Sequence, residues 1–453
     1  MSIPNTLKQL DTESPGAGPS KKRALDTDGS QTSKQEGAAN KVAKVHPFFM
    51  KPQEKKDAIS EGPFQWLEPL GRSGSCLHGI NLQPKASQKV ATFDLDGTVI
   101  KSSFASKSAA GQPPSWEWWR ACVPDKLKEL HETGYAIVLI SNQGIKPAAL
   151  KTWKEKIPLI AQALKDVPFR IMAAIGKDQY RKPMPGMWHE LERIFTKEGV
   201  TIDKGSSFFI GDAAGRQYTK AKGDFSSTDR KWAENVELSF QTPEEYFLKQ
   251  APHENYVMPG FRPSSLPTPP HVTPTSSPIL PNIPRQEVIL FVGYPCLGKS
   301  TFYRQHFQPA EYLHINQDTL KTRERCIKAL EEALKTGKSC VIDNTNRNAA
   351  TRKLYLDMCR KNNVPARCFL FNGSFELAWH NNLYRALNMP PSLAAKEPER
   401  SLLPYVAFTG FRNNYEEPQL DEGFSEVKNI HWVFEGTEEE KKYWSMWLQI
   451  DGK

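Results

Sequence analysis

The sequence predicts an α/β protein made of two unrelated open-sheet domains, and three observations lead to that expectation. Two apolar runs, residues 89–95 and 287–292, each end in a cluster of polar and charged residues suited to chemistry. Further apolar, β-branched runs alternate with helix-like stretches behind each of them. Between the two regions, residues 251–286 hold ten prolines, few charges and no hydrophobic periodicity. That composition reads as an extended, semi-stiff linker between a domain at 61–250 and another at 287–453. No internal repeat relates them, so different jobs are expected of each.

Composition narrows the class. The chain has 453 residues, is 38% hydrophobic and carries 35 Pro against 28 Gly. Such numbers fit ordinary folded domains diluted by a tail and a linker. Residues 1–60 are polar, with Phe48 and Phe49 as their only aromatics, and read as a disordered basic tail. Within it, Lys21-Lys22-Arg23 with Lys41 and Lys44 forms a candidate split nuclear-import signal, so a nuclear location is expected. Phe48-Phe49 is a candidate docking element for a partner. No apolar run approaches the roughly 18 residues of a membrane span. Seven scattered cysteines with no CxxC pair argue against a zinc site or a disulfide framework. The net charge of +9 suits a polyanionic partner.

In the first domain the strand 89–95 runs into Asp94-Leu95-Asp96-Gly97-Thr98. Alternation along an extended chain points Asp94 and Asp96 the same way, and Gly97 permits a sharp turn. A helix is expected over Pro124–Thr133, then a strand Ala136–Ile140 ending at Ser141-Asn142-Gln143. A helix Ala148–Leu164 and a strand Phe169–Ala174 follow, then Arg181-Lys182-Pro183. A last strand, Ser207–Ile210, ends at Gly211-Asp212. Carboxyl ends of parallel strands are where open α/β sheets assemble sites.

Asp94-x-Asp96-Gly97-Thr98, Ser141, Lys182 and Asp212 resemble the four ordered motifs of the haloacid dehalogenase superfamily phosphatases. The resemblance implies that Asp94 attacks phosphorus to form an aspartyl-phosphate. Asp96 would protonate the leaving oxygen and later activate water. Ser141 and Lys182 would hold the phosphoryl oxygens. Mg²⁺ would sit on Asp94, Asp212 and the Asp96 carbonyl. The stretch between Thr98 and the helix at Pro124 is too short for a compact cap domain, so an open site is expected, one that admits a polymer end. Its insert Ser102–Arg120 carries Trp116, Trp118 and Trp119, and Trp116 is a candidate to stack on a nucleobase.

In the second domain Glu287–Val292 leads into Gly293-Tyr294-Pro295-Cys296-Leu297-Gly298-Lys299-Ser300-Thr301, which matches G-x-x-x-x-G-K-[ST]. Gly293 and Gly298 let the backbone wrap a phosphate. Lys299 reaches the β- and γ-phosphates of ATP, Ser300 binds Mg²⁺, and Thr301 completes the nucleotide site. Backbone amides around Cys296 inside this loop could lower its pKa, which makes it a candidate redox-sensitive thiol. The run from Tyr312 reads as a strand ending at Asp318, a candidate general base. A strand Ser339–Ile342 ends in Asp343, a plausible outer magnesium ligand. A helix Leu377–Asn388 would carry Arg385 towards the transferring phosphoryl group.

A phosphatase of this kind ahead of a P-loop kinase resembles the eukaryotic polynucleotide kinase 3′-phosphatase family. Arg181-Lys182-Pro183, Phe208–Arg216, Asp224-Phe225-Ser226 with Asp229-Arg230, Asp343–Asn346 and His380-Asn381-Asn382 carry the resemblance further. It implies a DNA end-healing enzyme acting as a monomer on nicks, gaps and breaks, with ligase or repair-scaffold partners reached through the tail. It also implies Asp318 as kinase base and Arg325 near the acceptor. Two departures stand out. Residues 1–60 are too short and polar for the forkhead-associated domain with which animal members begin, and Gln317 stands where the family has arginine. The alternative, an RNA end-processing phosphatase/kinase, would bring a KxDG lysine motif or two spaced HxT motifs, and neither is evident.

Overall fold

The structure is a computed structural model that describes residues 63–449 apart from 72, 103–113, 267–268, 395 and 397–399. The basic tail with its import signal and Phe48-Phe49, and much of the insert after Ser102, lie outside the described residues.

The first sheet is assembled from β1 (Phe64–Trp66), β2 (Cys76–Asn81), β3 (Val90–Phe93), β4 (Ala136–Asn142), β5 (Phe169–Ala174), β6 (Phe208–Ile210) and β7 (Ser239–Gln241). Their order is β1-β2-β5-β4-β3-β6-β7, with β5, β4, β3, β6 and β7 parallel and β1 and β2 antiparallel at one edge. The helices are α1 (Val123–Glu132), α2 (Pro147–Ala163), α3 (Gly186–Lys197), α4 (Thr228–Val236) and α5 (Pro243–Leu248). Strand alternation divides the core. Ala91, Phe93, Ile137 and Leu139 meet Leu127 of α1 and Ile157 of α2 on one face. Val90, Val138 and Ile140 meet Trp188 of α3 and Trp232 of α4 on the other. A strand buried on both faces must be apolar throughout, which is why β3 and β4 read as continuous runs rather than alternating ones.

The second sheet holds β8 (Val272–Thr273), β9 (Val288–Val292), β10 (Leu313–Ile315), β11 (Cys340–Asp343), β12 (Ala366–Asn372) and β13 (Glu426–His431), in the order β10-β11-β9-β12-β13-β8. All are parallel except β8. Around it lie α6 (Lys299–Phe302), α7 (Gln317–Leu320), α8 (Arg323–Lys335), α9 (Ala349–Lys361), α10 (Phe375–Leu387), α11 (Pro391–Ala394), α12 (Tyr405–Arg412) and α13 (Glu438–Trp444). Leu330 of α8 and Leu356 of α9 cover one face, and Leu377 and Leu383 of α10 the other. In each sheet the central strand, β3 or β9, is where the strand order reverses, so a crevice opens beyond its carboxyl end.

The Pro-rich stretch is largely irregular, as its composition requires, but it does not hang free. Phe261 is buried in the second domain's core, its ring 4.7 Å from His380 and 5.7 Å from Trp444. β8 pairs with β13. Proline lacks an N–H but keeps an apolar ring, so such a segment can lie along a surface and still bury side chains. Among the described residues, no helix is long and apolar enough to cross a membrane.

Candidate active sites

In the first domain, Asp94 follows β3, Ser141 and Asn142 end β4, and Asp212 follows β6 across Gly211. The Lys182 ammonium lies 2.6 Å from Asp94 Oδ1 and 2.7 Å from Asp229 Oδ1, and it donates to Ile140 O at 3.0 Å. Asn142 fixes the lysine's backbone, accepting from Lys182 N at 2.9 Å and donating to Lys182 O at 3.0 Å. Carboxylate oxygens of Asp94, Asp212 and Asp229 lie within 4.8 Å of one another. This crowding needs glycine at 97. Its φ is +97°, and a Cβ there would stand 2.3 Å from Asp212 Oδ2.

Asp96 keeps its carboxylate out of that cluster. Its Oδ2 accepts from Gln143 Nε2 at 2.7 Å, and the same amide nitrogen donates to Ser141 Oγ at 2.9 Å. Charge and burial set the electrostatics. Burial pushes the Asp94 carboxyl up to about 7, against the pull of Lys182. Burial and the Asp94 and Asp229 charges push Asp212 well above the usual carboxylate range. Burial pulls the Lys182 ammonium down, but Asp229 and Asp94 outweigh it and raise the pKa above that of an ordinary lysine. Three acids facing one lysine leave an excess of negative charge that a bound cation would neutralise. Arg181, partly buried beside them, has no carboxylate partner among the described residues.

In the second domain the loop after β9 turns at Gly293, where φ is +152° and a Cβ would stand 2.9 Å from Phe371 Cβ. Lys299 Nζ donates to Gly293 O at 3.1 Å and Tyr294 O at 2.5 Å. Ser300 Oγ donates to Asp343 Oδ2 at 2.6 Å, and His314 Nε2 lies 2.9 Å from the same oxygen. Thr301 instead points outwards and accepts from Arg304 at 3.0 Å. Asp318 does not end the strand. β10 stops at Ile315, Asn316 caps α7 through the Asp318 and Thr319 N–H groups, and Asp318 lies in the helix's first turn. With the cap already supplied, the exposed Asp318 carboxylate accepts no hydrogen bond among the described residues. Arg325 is likewise exposed, in the first turn of α8. Arg385 on α10 has a buried Nε without a hydrogen-bond partner among the described residues, and its charge reaches both Cys296 and Lys299.

Burial lowers the Lys299 pKa below the ordinary ammonium value, against the attraction of Asp343. Burial pushes Asp343 upwards, yet the hydrogen bond from His314 and the charge of Lys299 bring it below its usual value. The depressed pKa expected at Cys296 is not found. Burial raises it, outweighing the opposing pull of Arg385 and Lys299. The loop amides that would stabilise a thiolate do not offset its desolvation.

Comparison with known proteins agrees with both halves. The polynucleotide kinase 3 phosphatase family matches residues 89–247, and an AAA domain matches residues 288–398. A bifunctional polynucleotide phosphatase/kinase of Schizosaccharomyces pombe is 38% identical, over 81% of this chain and 84% of its own length. This chain belongs to that family. A homologue from Acanthamoeba polyphaga mimivirus is 32% identical over 82% of this chain and 90% of its own length. A polynucleotide 3′-phosphatase of Saccharomyces cerevisiae matches only 38% of this chain, at 27% identity, yet 88% of its own length. The chain is therefore an enzyme with a phosphatase domain and a P-loop kinase domain.

The structure brings Asp94, Asp212 and Lys182 together, with Ser141 and Asp96 joined through Gln143. It likewise gathers Lys299, Ser300 and Asp343, with Arg385 at the loop. Trp116 is only half exposed, packed edge-to-face on Trp118 at 4.7 Å against the core. Sequence reasoning missed Gln143 and Asp229 as site residues. Gln143 was within reach, because it stands two positions beyond Ser141 on the same side of an extended chain. Asp229 entered only through the family resemblance and was given no role, since an acid in the first turn of a helix ordinarily reads as a partner for the helix dipole.

Proposed function

We propose that this polynucleotide phosphatase/kinase heals DNA ends in the nucleus, removing a 3′-phosphate at one site and phosphorylating a 5′-hydroxyl with ATP at the other. The observation that supports it best is the Lys182 ammonium shared by Asp94 and Asp229 with Asp212 alongside. That arrangement holds a nucleophilic carboxylate still and gathers three acids that could share one cation.

On this reading an Asp94 oxygen attacks phosphorus, and the bond to the 3′-oxygen breaks as Asp96 protonates it. Water then attacks the aspartyl-phosphate, Asp96 takes its proton, and inorganic phosphate leaves. Gln143 aims the Asp96 carboxyl, while Ser141 and Lys182 bind the phosphoryl oxygens. Arg181 meets an adjacent backbone phosphate. In the kinase domain Asp318 takes the proton of the 5′-hydroxyl, whose oxygen attacks the γ-phosphorus, and ADP departs. Lys299 and Arg385 hold the phosphate charge, and Arg325 lies on the acceptor side.

The all-oxygen donor sets fit Mg²⁺: Asp94, Asp212 and the Asp96 carbonyl in one domain, Ser300 and Asp343 in the other. When bound, the ion neutralises charge on the phosphoryl oxygens.

The test uses a nicked DNA duplex bearing 3′-phosphate and 5′-hydroxyl, with Mg²⁺ and labelled ATP. Asp94→Asn blocks only dephosphorylation and Lys299→Ala only phosphorylation. Loss of both activities from either change refutes the two-site reading. Turnover on the RNA counterpart alone moves the substrate class to RNA.

A further inference from the structure

The segment that follows α13 crosses to the phosphatase domain and lies along α4, whose first turn carries Asp229. Asn235, on the same helix and 8% exposed, meets it with its whole amide. Asn235 Nδ2 donates to Pro183 O and to Trp447 O, both at 2.8 Å, and Oδ1 accepts the Trp447 N–H at 2.7 Å. Pro183 directly follows Lys182.

The segment is anchored from both sides. Trp447 Nε1 donates to Glu234 Oε2 at 2.7 Å, and Lys231 Nζ donates to Gln449 O at 3.2 Å and Pro259 O at 2.6 Å. From the kinase side, Gln449 Nε2 donates to Glu376 O at 3.0 Å. Trp444 Nε1 donates to Asn381 Oδ1 at 2.8 Å, and Asn381 donates to Cys296 O of the phosphate loop at 3.0 Å. A cleft of about 270 Å³ lined by Asn235, Phe261, Met446 and Trp447 adjoins the contact. Met446 and Leu448 are buried in the kinase-domain core, so the segment is held by packing on that side and by these hydrogen bonds where it meets α4.

We propose that Asn235 is a positioning residue of the phosphatase, clamped in place by Trp447, so that the kinase domain's C-terminal segment is a working part of the phosphatase site. Lys182 must hold two carboxylates at hydrogen-bond distance. Its own peptide is fixed by Asn142 on one side, and the next carbonyl by Asn235 on the other. Proline has no N–H to offer at 183, so that carbonyl is the available handle. Displacement of such a group by about 1 Å costs on the order of 100-fold in rate. The inference rests on the assignment of Lys182 to the phosphoryl group.

The test is made on the full chain with a 3′-phosphorylated oligonucleotide. Asn235→Asp keeps the shape and the acceptor for Trp447 N–H, but sets a carboxylate oxygen against two carbonyls. It lowers phosphatase kcat by about 10-fold or more, with KM and kinase activity within about twofold. Trp447→Ala lowers the same kcat, and the two changes together lower it no further than the larger one alone. Lys231→Met removes hydrogen bonds to the same segment but keeps the Asn235–Pro183 bond. It lowers the melting temperature and leaves phosphatase kcat within about twofold. A wild-type kcat in Asn235→Asp or Trp447→Ala, a loss confined to KM, or an equal kcat loss in Lys231→Met overturns the proposal. Activity retained by Asp94→Asn instead refutes the reading of the site itself.

Discussion

The two domains each bury one lysine at the carboxyl end of a central strand, and they treat it in opposite ways. Lys182 stands between two carboxylates, which raise its pKa above the ordinary value. Among the described residues Lys299 bonds only to the carbonyls of Gly293 and Tyr294, and burial lowers its pKa. The contrast follows from what each site is read to receive. A hydrolytic site that carries its own nucleophilic acid must neutralise that acid before substrate arrives. A phosphate loop receives a polyanion, so its ammonium is left without a carboxylate in hydrogen-bond reach. One site pairs its lysine with acids of its own, and the other leaves its lysine for the nucleotide.

Methionine at the two positions is the sharpest way to break this comparison. Lys182→Met leaves Asp94 and Asp229 buried without their cation, and destabilises the chain by about 3–5 kcal/mol. Phosphatase turnover falls about 10²–10³-fold in the same variant. Lys299→Met lowers kinase turnover by a similar ~10²–10³-fold but leaves thermal stability unchanged or raised, because it removes a buried ammonium that has no carboxylate hydrogen-bonded to it. Equal destabilisation of both variants in a thermal melt would sink the distinction.

Gly97→Ala probes the crowding of acids. It forces a Cβ against Asp212 at a positive φ, costs about 1–3 kcal/mol and lowers phosphatase turnover while kinase turnover stays at wild type. Next comes the pH dependence of the acid cluster. Asp94 has a folded pKa of about 7, above its unfolded value, so its contribution to stability is complete below the unfolded pKa. That contribution is lost as pH rises towards about 7. With a chelator present, this part of the melting temperature declines across that window, and Mg²⁺ removes the decline. The Mg²⁺ concentration for half-maximal phosphatase activity rises as pH falls below about 7, since protons compete for Asp94. The smallest effect is expected at Cys296. Iodoacetamide at pH 7.5 labels the exposed Cys122 first, and kinase activity is unchanged during that labelling.

Much of the fold was readable from local pattern. The helix expected over Ala148–Leu164 spans Pro147–Ala163, and the one at Leu377–Asn388 spans Phe375–Leu387. Periodicity is a local property, so these elements differ from expectation only at their ends. Asp318 was read at a strand end, because the run from Tyr312 hides the Asn316 cap that starts α7. The Pro-rich stretch was read as a spacer, since composition reports backbone freedom but not which side chain finds a pocket. Phe261 finds one.

By itself the sequence determined that there are two chemistries, because Asp94-x-Asp96-Gly97-Thr98 and Gly293–Ser300 each encode backbone turns and side-chain functions within a few residues. Tertiary structure alone decided which groups share a charge. Asp229 reaches Lys182 from a helix 47 positions along the chain, and Trp447 reaches Asn235 from 212 positions away. Pattern along a chain records preferences that span a turn or a strand. Hydrogen bonds between distant segments exist only once the two sheets have brought those segments together.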